Sequence, residues 1–217
     1  YVHWITILSY KDNIDSITFN MAPLLINKMF LEIYQQFDSL ILTSATLTVS
    51  DDFKYFQEDL GLVDYLIEKK VVMNRYPSPF FINDQIKLFI SDCNNDINSM
   101  EHIESVSNLI STINKEIKKR MLVLCTSYKQ INAFKDIFKN NYNIQNIFFQ
   151  NSTSSRQILL ERYLASNDSI LFGTSTFWEG VDLPDDKLEI LVIVKMPFSN
   201  PYNPIVQAKI DQFTERN

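Results

Sequence analysis

Between residues 121 and 194 the chain alternates short apolar runs with longer stretches of helical period, and this alternation restricts the fold more than any other feature. Met121 to Cys125, Ser169 to Phe172 and Leu188 to Val194 are almost unbroken apolar runs. Strands of that composition are buried on both faces. The spacing predicts a helix over about 99–119, a strand at 121–125, a helix at 128–139, a strand at 144–149, a helix at 154–165, strands at 169–172 and 188–194, and a helix at 204–214. Strands alternating with helices of this length specify crossover units, and so an α/β class with a parallel sheet covered by helices on both faces. A further apolar strand is expected at 86–91.

The N-terminal part reads differently. Residues 1–19 alternate about Asp12-Asn13, as two strands joined by a loop would. Leu25, Met29, Ile33 and Phe37 recur every four residues and predict a helix over about 23–37. Ser39 to Leu47 reads as another buried strand that ends in hydroxyls. A helix over 51–60 follows, with Gly61 just past its end. Residues 74–85 carry two prolines and no period, so the expected domains are 1–80 and 83–217. The chain opens mid-strand and without Met, which leads us to expect a piece of a longer protein.

A net charge of −6 and a pI near 5.0 exclude a general coat for nucleic acid, because such binding depends on lysine and arginine neutralising phosphates. Any nucleic acid is held locally. Cys93 and Cys125 match no metal-ligand spacing and are expected to be reduced core thiols. No apolar run approaches the roughly 20 residues of a membrane span, so no membrane partner and a cytoplasmic location are expected. Two of the three glycines, Gly173 and Gly180, fall in one short segment.

That segment runs from Ser169 to Pro184. Its apolar strand leads into Gly173, the hydroxyls of Thr174, Ser175 and Thr176, the aromatic pair Phe177-Trp178, and the acids Glu179 and Asp182. Open α/β sheets place ligands at the carboxyl ends of their strands. Hydroxyls and backbone N–H groups there suit a nucleic-acid phosphate. The acids suit a ribose hydroxyl, a metal-bound water or an arginine. A polar loop with no ligand accounts for the hydroxyls but poorly for the aromatic pair. Cys125-Thr126-Ser127-Tyr128 repeats the design, although Ser127 is equally a natural helix N-cap. The run Lys115 to Arg120 reads first as a solvated helix end and second as a phosphate patch. His3 and His102 have no acid or cysteine around them that supports catalysis. Asn203 and Pro204 fit the cap and first residue of the last helix. The sequence contains no G-x-x-x-x-G-K-[ST] phosphate loop, so the chain is not expected to hydrolyse ATP alone.

Taken in order, these words resemble the DinG/XPD branch of superfamily 2 DNA helicases. Leu42-Thr43-Ser44-Ala45-Thr46-Leu47 resembles motif III of that family, Cys125 to Tyr128 its motif IV, and Gly173 to Pro184 its motif V. Ser78-Pro79-Phe80, Lys195-Met196-Pro197-Phe198 and Pro204 to Ala208 resemble shorter words of the DinG group.

The resemblance implies RecA-like folding, with residues 1–80 closing a first motor domain and 83–217 forming most of a second. It implies that the Walker A and B motifs of the first motor domain precede Tyr1 and that motif VI follows Asn217. ATP and Mg would then be bound by the intact protein and not by this fragment alone. Ser44, Ala45 and Thr46 would couple nucleotide state to DNA contacts. Thr126, Ser127, Tyr128, Thr174, Ser175 and Trp178 would meet single-stranded DNA, and Glu179 and Asp182 would face the nucleotide or the arginines of motif VI. Trp178 would either stack on a base or pack on the sheet. One alternative keeps the fold as a nucleic-acid-binding module of a DinG-related exonuclease. Another, a small-ligand enzyme on a doubly wound sheet, rests on fold analogy alone.

Overall fold

The computed structural model describes residues 1–10, 13–63, 71–91, 95–178, 181–183 and 185–215. These divide into two compact units, Tyr1–Ile86 with Ser199–Asn217, and Lys87–Phe198.

The second unit holds the expected parallel sheet. Its elements are α4 (Met100–Ile117), β3 (Met121–Leu124), α5 (Tyr128–Asn141), β4 (Ile147–Phe149), α6 (Arg156–Leu164), β5 (Ile170–Gly173) and β6 (Ile190–Ile193). The strand order is β4-β5-β3-β6, and every pairing is parallel. The apolar runs of β3 and β5 are buried throughout because alternate residues serve opposite faces. Met121, Val123, Ile170 and Phe172 pack with Ile103 and Ile110 of α4 and Ile131, Phe134 and Phe138 of α5. Leu122, Leu124 and Leu171 turn the other way, onto Leu159 and Tyr163 of α6 and onto Phe177.

Helix starts follow their caps. Ser99 accepts from the His102 amide at 3.1 Å, and Ser127 accepts from the Gln130 amide at 3.2 Å. The basic run departs from expectation at Arg120, which is 8% exposed. Its guanidinium donates to the carbonyls of Ser166, Leu164 and Asp186 and to Asn167 Oδ1, while Lys119 pairs with Glu189 at 2.6 Å. Arg120 therefore ties loops together at the amino ends of the strands, the end opposite the candidate site, and neither of its expected roles is seen.

The first unit contains an antiparallel hairpin, β1 (Val2–Tyr10) with β2 (Asn13–Ala22), then α1 (Asn27–Tyr34), α2 (Lys54–Asp59), α3 (Ile82–Gln85) and, late in the chain, α7 (Pro204–Glu215). Gly61 follows α2 with a positive φ of 70°. Asn203 caps α7, its Oδ1 accepting from the Ile205 amide at 3.0 Å, with Pro204 as first residue.

Two expected strands do not form. Residues 39–47 and 86–91 are irregular, and their apolar side chains face solvent: Ile41 is 89% exposed and Phe89 86%. A strand exists only through hydrogen bonds to a neighbour. Among the described residues neither segment has one.

Candidate nucleic-acid interface

The carboxyl ends of β4, β5 and β3 form one continuous rim, because these strands are neighbours in that order and all point the same way. The loop after β5 occupies its middle. Phe177 N–H donates to the Thr174 carbonyl at 2.8 Å and Trp178 N–H to that of Ser175 at 3.2 Å, which closes a short 3-10 turn over Ser175–Phe177. Gly173 permits the turn to fold back so tightly, since a Cβ there would lie 2.6 Å from the Phe177 ring. The Arg156 guanidinium stands over the Phe177 ring, 5.8 Å from its centroid.

Side chains fasten the loop on both flanks. From β4, Gln150 Oε1 accepts from the Thr174 amide at 2.7 Å and from the Thr174 hydroxyl at 3.0 Å, and its Nε2 donates to Thr176 Oγ1 at 2.9 Å. Toward β3, the Trp178 indole N–H donates to the Cys125 carbonyl at 3.3 Å. Trp178 packs against the Leu122 and Leu124 face of the sheet.

The rim gathers the hydroxyls of the motif IV and motif V words and sorts them. Thr174 is 5% exposed, and both its donors are spent on Gln150. Ser175 and Thr176 are exposed. On the β3 side Thr126, Ser127 and Tyr128 are also exposed, but the Thr126 amide donates to Gln130 Oε1 at 3.0 Å and Ser127 is engaged as the cap of α5. Asp182 lies exposed beyond the turn, and Glu179 falls outside the described residues. Cys125, directly after β3, is fully buried, and burial pushes its thiol up to about 12.

Ser44, Ala45 and Thr46 lie within the first unit, where residues 39–47 form no strand. They sit in a local turn where the Thr46 amide donates to Ser44 Oγ at 3.2 Å. Among the described residues no three His, Cys, Asp or Glu side chains converge. Gln150 and Arg156 escaped the sequence reading. Gln150 had a usable signal, since it is the polar residue that ends the apolar run Ile147-Phe148-Phe149, directly after its strand as Thr174 is after β5.

Residues 110–217 match the helicase C-terminal domain family. The chain is 30% identical over 212 residues to the ATP-dependent DNA helicase YoaA of Haemophilus influenzae, a match that takes in 97% of the chain and 31% of that protein. It is 34% identical over 180 residues to the 3'-5' exonuclease DinG of Bacillus subtilis, covering 80% of the chain and 19% of that relative. With the YoaA helicase of Escherichia coli it shares 29% identity over 195 residues, 89% of the chain and 29% of the relative. The chain thus spans less than a third of the length of each of these relatives.

Proposed function

The chain belongs to the DinG-like branch of superfamily 2 helicases, and from that premise we propose that it serves an ATP-dependent DNA helicase as the part that grips single-stranded DNA and couples the grip to ATP. In this reading residues 83–217 are most of the second motor domain and residues 1–80 the end of the first. The remaining motor motifs, with ATP and its Mg, belong to other parts of the intact, cytoplasmic protein. The observation that carries the reading is the rim itself: β3 and β5 are adjacent, so the exposed hydroxyls of Thr126, Ser175 and Thr176 stand at neighbouring strand ends. Hydroxyls and backbone amides at strand ends meet sugar-phosphate chains without reading sequence.

Ser44, Ala45 and Thr46 would transmit nucleotide state, and Asp182 with Glu179 would face the nucleotide side. Thr174 enters as a support of the loop, since its own donors are turned inward. The test is ATP hydrolysis by the full-length protein with and without single-stranded DNA, together with DNA affinity across a salt series. Stimulation by DNA, and weaker DNA binding by Ser175→Ala, support the reading. ATP hydrolysis indifferent to DNA overturns the coupling.

The DinG exonuclease similarity favours a second reading, a nucleic-acid-binding module within a nuclease. It predicts salt-dependent DNA binding with no DNA-stimulated ATP hydrolysis.

A further inference from the structure

The buried amide of Gln150 does more than fasten the loop, because its orientation decides which hydroxyl is left to donate. A backbone N–H can only donate, so the Gln150 atom that faces the Thr174 amide at 2.7 Å is the carbonyl oxygen Oε1. Its NH2 group then necessarily faces Thr176 Oγ1, at 2.9 Å, and Thr176 is the acceptor in that bond. The Thr176 proton must go elsewhere, and among the described residues no hydrogen bond takes it. Gln150 is 5% exposed and so is locked in this sense, while Thr176 is open to solvent. Of the two threonines that Gln150 touches, Thr174 spends its proton on Gln150 and Thr176 does not.

We infer that Thr176 is a direct donor to a phosphodiester oxygen of single-stranded DNA and that Gln150 is the residue that positions it. The inference rests on the grip reading above and names the contact by which the loop makes that grip. A hydroxyl whose oxygen already accepts a hydrogen bond is a stronger donor through its own proton. Its complement is an acceptor-only, anionic oxygen, since a hydrogen bond to an ionised acceptor is roughly twice as strong as a neutral one. The Arg156 guanidinium, held over the Phe177 ring of the same turn, adds positive charge to that element. A base edge, which offers donors as well as acceptors, suits the site less well.

The experiment uses the full-length protein and a short fluorescent oligothymidylate, unmodified or with one phosphate replaced by an uncharged methylphosphonate. The replacement is walked along the strand. Thr176→Val removes the hydroxyl and keeps the shape, Thr176→Ser keeps the hydroxyl, and Gln150→Met keeps the length while removing both amide functions. We expect Thr176→Val and Gln150→Met each to weaken binding about tenfold, and the pair together little more than either alone. Thr176→Ser should bind as wild type does. One methylphosphonate position should weaken the wild type and lose its penalty in Thr176→Val, a signature that a merely structural role for Thr176 does not produce. Wild-type affinity in Thr176→Val, or a methylphosphonate penalty that persists in it, overturns the inference while leaving the grip reading intact. Loss in Thr176→Val with full affinity in Gln150→Met overturns the positioning role. A wild-type protein that does not bind the oligonucleotide overturns the grip reading itself, and the inference with it.

Discussion

Gly173→Ala is a small change with a large expected effect, because the added methyl has nowhere to go. Its carbon would lie 2.6 Å from Cδ2 and Cγ of Phe177 and 2.8 Å from its Cβ, whereas carbons in contact ordinarily stand about 3.5–4.0 Å apart. Either the ring retreats by about 1 Å or β5 shifts. The ring is 3% exposed and set among Leu122, Leu124, Leu159 and Leu171, so retreat compresses a filled core. Overpacking of this kind costs about 1–3 kcal/mol. The Cys125 amide is bonded to the Gly173 carbonyl at 2.8 Å, so its native-state hydrogen exchange reports the loss locally. Phe177→Leu, which shortens the obstacle, should itself destabilise, yet the double variant should cost about 1 kcal/mol less than the two singles summed. If Gly173→Ala stays within about 0.5 kcal/mol of wild type, or if the two changes simply add, the close-approach reasoning is refuted.

Other expectations follow from buried or partnered groups. Arg120→Met strands the carbonyls of Ser166, Leu164 and Asp186 and should cost about 2–4 kcal/mol in a urea titration; a loss below 1 kcal/mol would contradict its role as a tie. The Ser166 hydroxyl and then the Asn146 amide hold the Asp168 carboxyl below the ordinary carboxylate range. A depressed folded-state pKa gives stability that is complete above the unfolded value of about 3.9 and is lost as pH falls through the folded value. Urea midpoints should therefore fall on acidification below about pH 4, and Asp168→Asn should flatten that fall; an unchanged slope would contradict the assignment. The Cys125 thiol, buried and raised to about 12, should resist alkylation at mildly alkaline pH until the chain unfolds. Mass spectrometry of the Cys125 peptide checks this, and rapid labelling of the native chain would contradict it.

The second unit was legible in the sequence because its evidence is local. Met121 to Cys125 and Ile170 to Phe172 are apolar at every position, as strands buried on both faces are. The equally apolar β6, at the edge of the sheet, leaves Leu191 and Ile193 exposed against that expectation. Ser127 and Asn203 announced their helices through the capping preference alone. The misread strands, 39–47 and 86–91, have the same apolar character, but strand formation depends on a neighbour that composition does not reveal. The site was half legible for a related reason. Hydroxyls after an apolar run mark a strand tip, but which of Thr174, Ser175 and Thr176 faces outward depends on Gln150, about two dozen positions earlier and one strand away. The length of Arg120 reads as a solvated cation until the four acceptors around its guanidinium are seen.

The central claim is that the neighbouring tips of β3 and β5 hold single-stranded DNA. Photocrosslinking of the full-length protein to a 4-thiothymidine oligonucleotide, with adducts mapped by mass spectrometry, tests it directly. Adducts should fall on both the 125–130 and the 173–178 peptides and fade with rising salt. A protein that binds the oligonucleotide but is crosslinked at neither loop would contradict the account.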